Sequence, residues 1–144
     1  MRPTILALDL EGTLISNAVS QIPRPGLYQF LEAVHELFEH LVIYTTVPEA
    51  AFRRISRLLV EEGGVPSWFA ELPYTFWGGA TKDLRYVSPI LGAALLLDDH
   101  SDYIHPGQER YWIEVSLFGA PYDADDVGLE VALEMLKERF VVPL

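Results

Sequence analysis

Two carboxylates spaced i and i+2, Asp9 and Glu11, follow the apolar run Ile5-Leu6-Ala7-Leu8 and precede Gly12-Thr13. Such a run reads as a buried strand of a parallel sheet, and Gly12-Thr13 as the turn that leaves it. The acids therefore fall at the carboxyl end of a first strand, where open α/β sheets bind ligands. Acids held there are costly unless a cation or a reaction offsets them. A second acidic pair, Asp98-Asp99, ends the run Ala93-Ala94-Leu95-Leu96-Leu97, and Thr45-Thr46 ends Leu41-Val42-Ile43-Tyr44. Lys82 lies shortly before the third run. Parallel strands would bring these ends to one edge of the sheet, giving up to four carboxylates, a hydroxyl and an ammonium. That set suits Mg²⁺, which takes a few carboxylate oxygens together with water and substrate phosphate. A carboxylate can also accept a phosphoryl group, while the metal and Lys82 offset the charge on its oxygens. Without a cation, four clustered carboxylates repel one another and resist ionisation.

The elements that must position this chemistry alternate. After the first strand, residues 15 to 24 read as a loop. Pro25 is expected at the first position of a helix, with Leu27, Phe30, Leu31, Val34, Leu37 and Phe38 on its buried face. Leu41 to Tyr44 form a second strand. Pro48 opens a second helix with Phe52, Ile55, Leu58 and Leu59 as its stripe, and Gly63-Gly64 ends it. Within the Pro-, Gly- and aromatic-rich segment 65 to 80, Tyr74 to Trp77 are expected as a short edge strand. A short helix runs from Lys82-Asp83 to about Val87. Tyr111 to Val115 form a fourth strand, and a last helix starts at Asp123 to Asp126, whose acids favour a helix N-terminus. Alternating strands and helices predict an α/β fold, mainly parallel.

At 144 residues, half of them hydrophobic, the chain reads as one domain over 1–144 with a proper core. A formal charge of −11 argues against nucleic acid and against an anionic membrane surface. No run is long enough to span a bilayer. With no cysteine, disulfides and thiolate metal sites are excluded. A cytoplasmic location is the expectation.

The ordered motifs resemble those of the haloacid-dehalogenase superfamily phosphatases. Leu8-Asp9-Leu10-Glu11-Gly12-Thr13-Leu14 resembles the first motif, Asp-x-Asp-Gly-Thr; Val42-Ile43-Tyr44-Thr45 resembles the second. Lys82 matches the third-motif lysine and Leu96-Leu97-Asp98-Asp99 the acidic fourth motif. Within that superfamily, Tyr44-Thr45-Thr46-Val47, Lys82-Asp83-Leu84 and Leu95 to Ser101 are similar to the RNA polymerase C-terminal-domain and NLI-interacting-factor-like branch. The resemblance implies a three-layer Rossmann-like fold with helices on both faces and a Mg²⁺-dependent phosphohydrolase. It implies Asp9 as nucleophile, Glu11 as general acid/base with its main-chain carbonyl on the metal, and Thr45, Thr46 and Lys82 as phosphoryl contacts. Asp98 and Asp99 would complete the metal site.

Glu11 departs from the pattern, which has Asp there. The two acids differ little in intrinsic pKa, about 4.3 against about 3.9, so the difference is one of reach. A shift of about 1 Å can cost on the order of 100-fold in rate. A catalytically weak binding or regulatory module is therefore the rival reading. A receiver domain is also small, acidic and phosphorylated on Asp. By resemblance, though, its phosphorylated Asp ends a later strand, and no lone Asp ends the second strand here. The intervals 13–25 and 45–82 are too short for a cap domain, and an open site suits a large substrate, a phosphoprotein among them, or a partner that closes it. Small phosphorylated molecules also remain as substrates. Tyr74, Phe76 and Trp77 are expected to form one wall. Read singly, His35 and His40 are half-exposed helix residues, His105 is loop, and His100 has a lesser reading as a substrate contact. Trp68 and Trp112 read as packing. Asp123, Asp125 and Asp126 read as helix-start acids, not as a metal site.

Overall fold

Four apolar runs form four short strands, β1 (Ile5–Leu8), β2 (His40–Ile43), β3 (Ala94–Asp98) and β4 (Trp112–Glu114). They pair in parallel in the order β2-β1-β3-β4. The computed structural model describes residues 2–140. The register sets Leu8 beside both Ile43 and Leu97, so β1, β2 and β3 end level with one another. The chain leaves β1 for β2 on one side and returns to β3 on the other. The crevice beyond β1 and β3 is thus the point where the strand order reverses, the usual ligand position in such sheets.

Three α-helices, α1 (Leu27–Leu37), α2 (Glu49–Glu61) and α3 (Gly128–Glu138), bury their apolar stripes in one core. Phe30 and Val34 of α1, Phe52 and Ile55 of α2, and Leu129 and Leu136 of α3 join Leu6, Leu8, Ile43 and Leu97 there. Alternation along the strands turns Ala7, Ala94 and Leu96 to the other face. There they pack with Tyr44 and with Leu84 of a 3-10 helix, Leu84–Tyr86, flanked by Trp77, Val87 and Ile104. Both faces are thus covered by helical elements, and no cap domain is present among the described residues. Among the described residues no helix is long and apolar enough to cross a membrane.

Several local expectations are corrected. Pro25 does not open α1. Leu27 N–H donates to Arg24 O at 3.0 Å, and Gly26 takes φ 79°, which makes 24–27 a type II turn with Pro and Gly in their favoured places. In α2 Leu58 is 40% exposed, and Ser56 takes its place in the buried stripe by donating to Arg53 O. Gly63 and Gly64 do end that helix, through the paired bonds Gly64 N–H to Leu59 O and Gly63 N–H to Val60 O. Tyr74 to Trp77 form no strand; only Tyr74 makes a single bridge, to Ile43 at the sheet edge. The helix after Lys82 is one 3-10 turn, capped by the Asp83 carboxylate on Arg85 N–H. His40 lies in β2 rather than in a helix, and α3 starts at Gly128, after the acids.

Asp126 is held back for another partner. Arg24 is 1% exposed and donates from Nε to Asp126 Oδ2 at 2.6 Å and from Nη2 to Asp126 Oδ1 at 3.1 Å. It also donates to Ser116 Oγ and to the main-chain carbonyl of Thr13. One buried guanidinium thus ties the loop after β1 to the loop after β4 and to the start of α3. A Cβ on Gly128 would collide with that guanidinium, so a side chain there would push Arg24 out of this arrangement. Arg24→Met is expected to cost about 2–3 kcal/mol, because it leaves the partly exposed Asp126 without its charged hydrogen bonds and Thr13 O without a donor. That corresponds to a fall in melting temperature of roughly 5–10 °C. A thermal melt unchanged within a degree would show that the tie carries no stability.

Candidate active site

Asp9 and Asp98 stand one residue beyond β1 and at the last position of β3, both buried. Lys82 reaches between them. Its Nζ lies 2.9 Å from Asp9 Oδ1 and 2.6 Å from Asp98 Oδ2, with the side chain 1% exposed. The backbone of Lys82 is fixed by donation to Tyr103 O at 2.7 Å, and its ammonium sits 5.2 Å from the Tyr103 ring centroid. Buried Gln108 secures the turn that follows, accepting from Leu84 N–H and donating to Asp83 Oδ1. These supports make Lys82 a fixed ammonium rather than a mobile surface lysine.

Thr13 Oγ1 lies 2.8 Å from Asp9 Oδ2 and 3.0 Å from Asp99 Oδ1. One hydroxyl proton can serve only one of these carboxylates at a time. His100 N–H donates to Asp98 Oδ1 at 2.9 Å. Gly12 makes the approach possible: at φ 74°, a Cβ there would meet Leu117 Cδ1 at 2.7 Å and Asp99 Oδ2 at 2.8 Å.

The charges are under-compensated. Burial pushes the Asp9 carboxyl up to about 6, against the attraction of Lys82. Burial and the neighbouring Asp9 charge raise Asp98 as well. Lys82 behaves oppositely. Burial pulls it down, but two carboxylates outweigh that, and the net shift is upward. One ammonium shared by two acids suffices for itself and not for them. Ligating oxygens of Asp9, Asp98 and Asp99 all lie within 4.8 Å of one another. Hard oxygen donors with a charge deficit fit a small divalent cation such as Mg²⁺.

These groups border a cavity of about 200 Å³ lined by Asp9, Glu11, Thr46, Asp98, Asp99, His100 and Tyr103. Glu11 lines it without joining the carboxylate cluster. Its Oε2 accepts Ala18 N–H at 2.7 Å, which turns this carboxylate toward the loop after β1. Thr45 is buried. Its Oγ1 accepts Val47 N–H at 3.1 Å, and among the described residues its own proton has no protein acceptor. Thr45 and Thr46 both line a second, larger groove, so Thr46 is shared by the two. The sequence reading gave no role to Thr13, Tyr103 or Gln108. Thr13 had a signal, a hydroxyl i+4 from Asp9 inside a tight turn; the other two had none.

Residues 4–140 match the family described as NLI interacting factor-like phosphatase. No curated protein matches the sequence.

Proposed function

The chain belongs to the NLI interacting factor-like phosphatase family, and from that premise we propose a Mg²⁺-dependent phosphomonoesterase that works through an aspartyl-phosphate on Asp9. The observation that carries this reading is that Asp9, Asp98 and Asp99 meet at one cavity, with Lys82 bonded to Asp9 and Asp98. Asp9 attacks phosphorus. The ester P–O bond breaks, and the leaving oxygen keeps the electron pair and takes a proton from Glu11. Water then attacks the phosphoryl group with Glu11 as base, and the bond to Asp9 breaks. Thr45 offers its free proton to a phosphoryl oxygen, and its neighbour Thr46 lines the cavity. Lys82 meets the charge that develops there and holds Asp9 in line. Asp9, Asp98 and Asp99, with the main-chain carbonyl of Glu11, are the groups to hold Mg²⁺, which when bound offsets the phosphoryl charge. The substrate is a phosphorylated protein or small molecule.

One observation favours the rival reading of a catalytically weak binding module. The bond from Ala18 N–H occupies one oxygen of Glu11. The other oxygen remains for proton transfer, so we assign Glu11 a working role.

The test is hydrolysis of p-nitrophenyl phosphate with Mg²⁺ and with EDTA, joined to a search for hydroxylamine-labile phosphate on the protein. Turnover in Mg²⁺, loss in EDTA and labile phosphate are expected. Glu11→Gln, which keeps the acceptor for Ala18, is expected to lower kcat about 100-fold. A parent without turnover that Glu11→Asp restores would establish the weak module instead. EDTA-insensitive turnover would overturn the metal assignment.

A further inference from the structure

Beside the phosphoryl cavity lies a groove of about 400 Å³, walled by Tyr74, Phe76 and Trp77, and the two share Thr46 in their lining. No charged side chain lines it, although the chain carries −11 overall. Its walls are built rather than loose. Trp77 Nε1 donates to Thr45 O at 3.0 Å, and the Tyr74 hydroxyl donates to Val47 O. Tyr74 and Phe76 meet edge to face with centroids 5.1 Å apart. Phe76 is nevertheless 68% exposed, so its ring stands at the lip of the groove.

We propose that this groove receives the leaving group of an aryl phosphate monoester, the phosphate of a tyrosine side chain or of a free phenol. The inference rests on the phosphatase reading and names its substrate class. Three aromatic walls with no charged side chain among them offer stacking to a flat ring and no counter-charge to an anion. Tyr74 and Trp77, tied to the main chain before binding, lower the ordering cost. Glu11 supplies an independent argument. Its carboxylate is tethered to Ala18 N–H, which limits how far it can follow a departing oxygen. A phenol oxygen leaves as an anion whose conjugate acid has a pKa of about 10. It needs proton donation far less than an aliphatic alkoxide does. In the step itself the P–O(aryl) bond breaks as Asp9 attacks; the aryl oxygen keeps the electron pair and takes its proton from Glu11 or from water.

The test compares kcat/KM for phosphotyrosine, a phosphotyrosyl peptide, phosphoserine and a phosphoseryl peptide, with acetyl phosphate as a reporter of phosphoryl transfer alone. Tyrosyl esters are expected to exceed seryl esters at least 10-fold. Phe76→Ala is expected to cut that ratio by about 10-fold, and Phe76→Tyr, which keeps the ring, to preserve it. The free and peptide forms separate a small aryl phosphate from a phosphotyrosyl chain. A preference that survives Phe76→Ala reflects only the better leaving group and overturns the groove assignment, as does a ratio near one. Failure to turn over any of them, acetyl phosphate included, overturns the phosphatase reading itself.

Discussion

Asp9→Asn is expected to abolish turnover and to make the metal-free protein harder to unfold. The loss of activity follows from the role. An amide cannot accept the phosphoryl group, and the loss of a covalent nucleophile costs at least about 1,000-fold. The gain in stability follows from the site. Burial lifts the Asp9 carboxyl from 3.8 to about 6 despite Lys82. The folded state therefore binds this proton more tightly than the unfolded chain does. The ionised carboxylate costs stability, progressively as pH rises from about 4 through 6, and fully above that. The shift corresponds to about 3 kcal/mol at neutral pH. Asparagine has no such charge, can still accept from Lys82, and leaves the 2.6 Å Lys82–Asp98 pair in place. In EDTA at pH 7.5 the variant is expected to melt about 5 °C or more above the parent. Below pH 4 the difference vanishes. A variant that melts lower at pH 7.5 would show that Lys82 fully compensates Asp9; residual activity near the parent's would remove Asp9 as nucleophile.

That tension between charge and burial is also why the site was readable. Asp9 and Asp98-Asp99 stand out because each ends an apolar run, and a strand end is where such acids become costly. Both runs became adjacent parallel strands in matched register, so the carboxylates met. Lys82 was legible through its place before the third run and in an ordered motif set, but its burial was not, since that comes from Tyr103 and the turn secured by Gln108, residues 21 and 26 positions further on. Arg24 had no signal at all: its carboxylate partner lies 102 positions away. The loop positions failed for local reasons. Pro25 suits a helix start and also the second place of a type II turn, and the glycine after it decided for the turn. Tyr74 to Trp77 have strand-like residue types, yet two of them spend their polar atoms on Val47 and Thr45. Those bonds turn a would-be edge strand into the wall of a groove.

Lys82→Met tests the same electrostatics from the other side, and the expected result is opposite in sign. Lys82 is the only side-chain cation, among the described residues, within salt-bridge distance of Asp9 and Asp98. Methionine is similar in length and fills the space, so the change removes charge more than packing. Two buried carboxylates then lose their shared partner, and breaking a buried pair in this way costs about 3–5 kcal/mol. The parent's Lys82 has its pKa raised by those carboxylates, so its contribution is complete at every pH below about 10.5. The pH dependence of the deficit therefore comes from the acids. It is greatest above pH 7 and shrinks as pH falls and Asp9 and Asp98 take up protons. Saturating Mg²⁺ is expected to restore part of the lost melting temperature, because a divalent cation on the same carboxylates replaces the missing charge. Activity is not restored with it. Phosphoryl transfer still lacks the ammonium that meets the developing charge, and kcat falls about 100- to 1,000-fold even in Mg²⁺. Melting in EDTA and in Mg²⁺, set beside turnover in Mg²⁺, separates the structural from the chemical work of this residue. If Mg²⁺ restored both, Lys82 would serve only as a structural counter-charge.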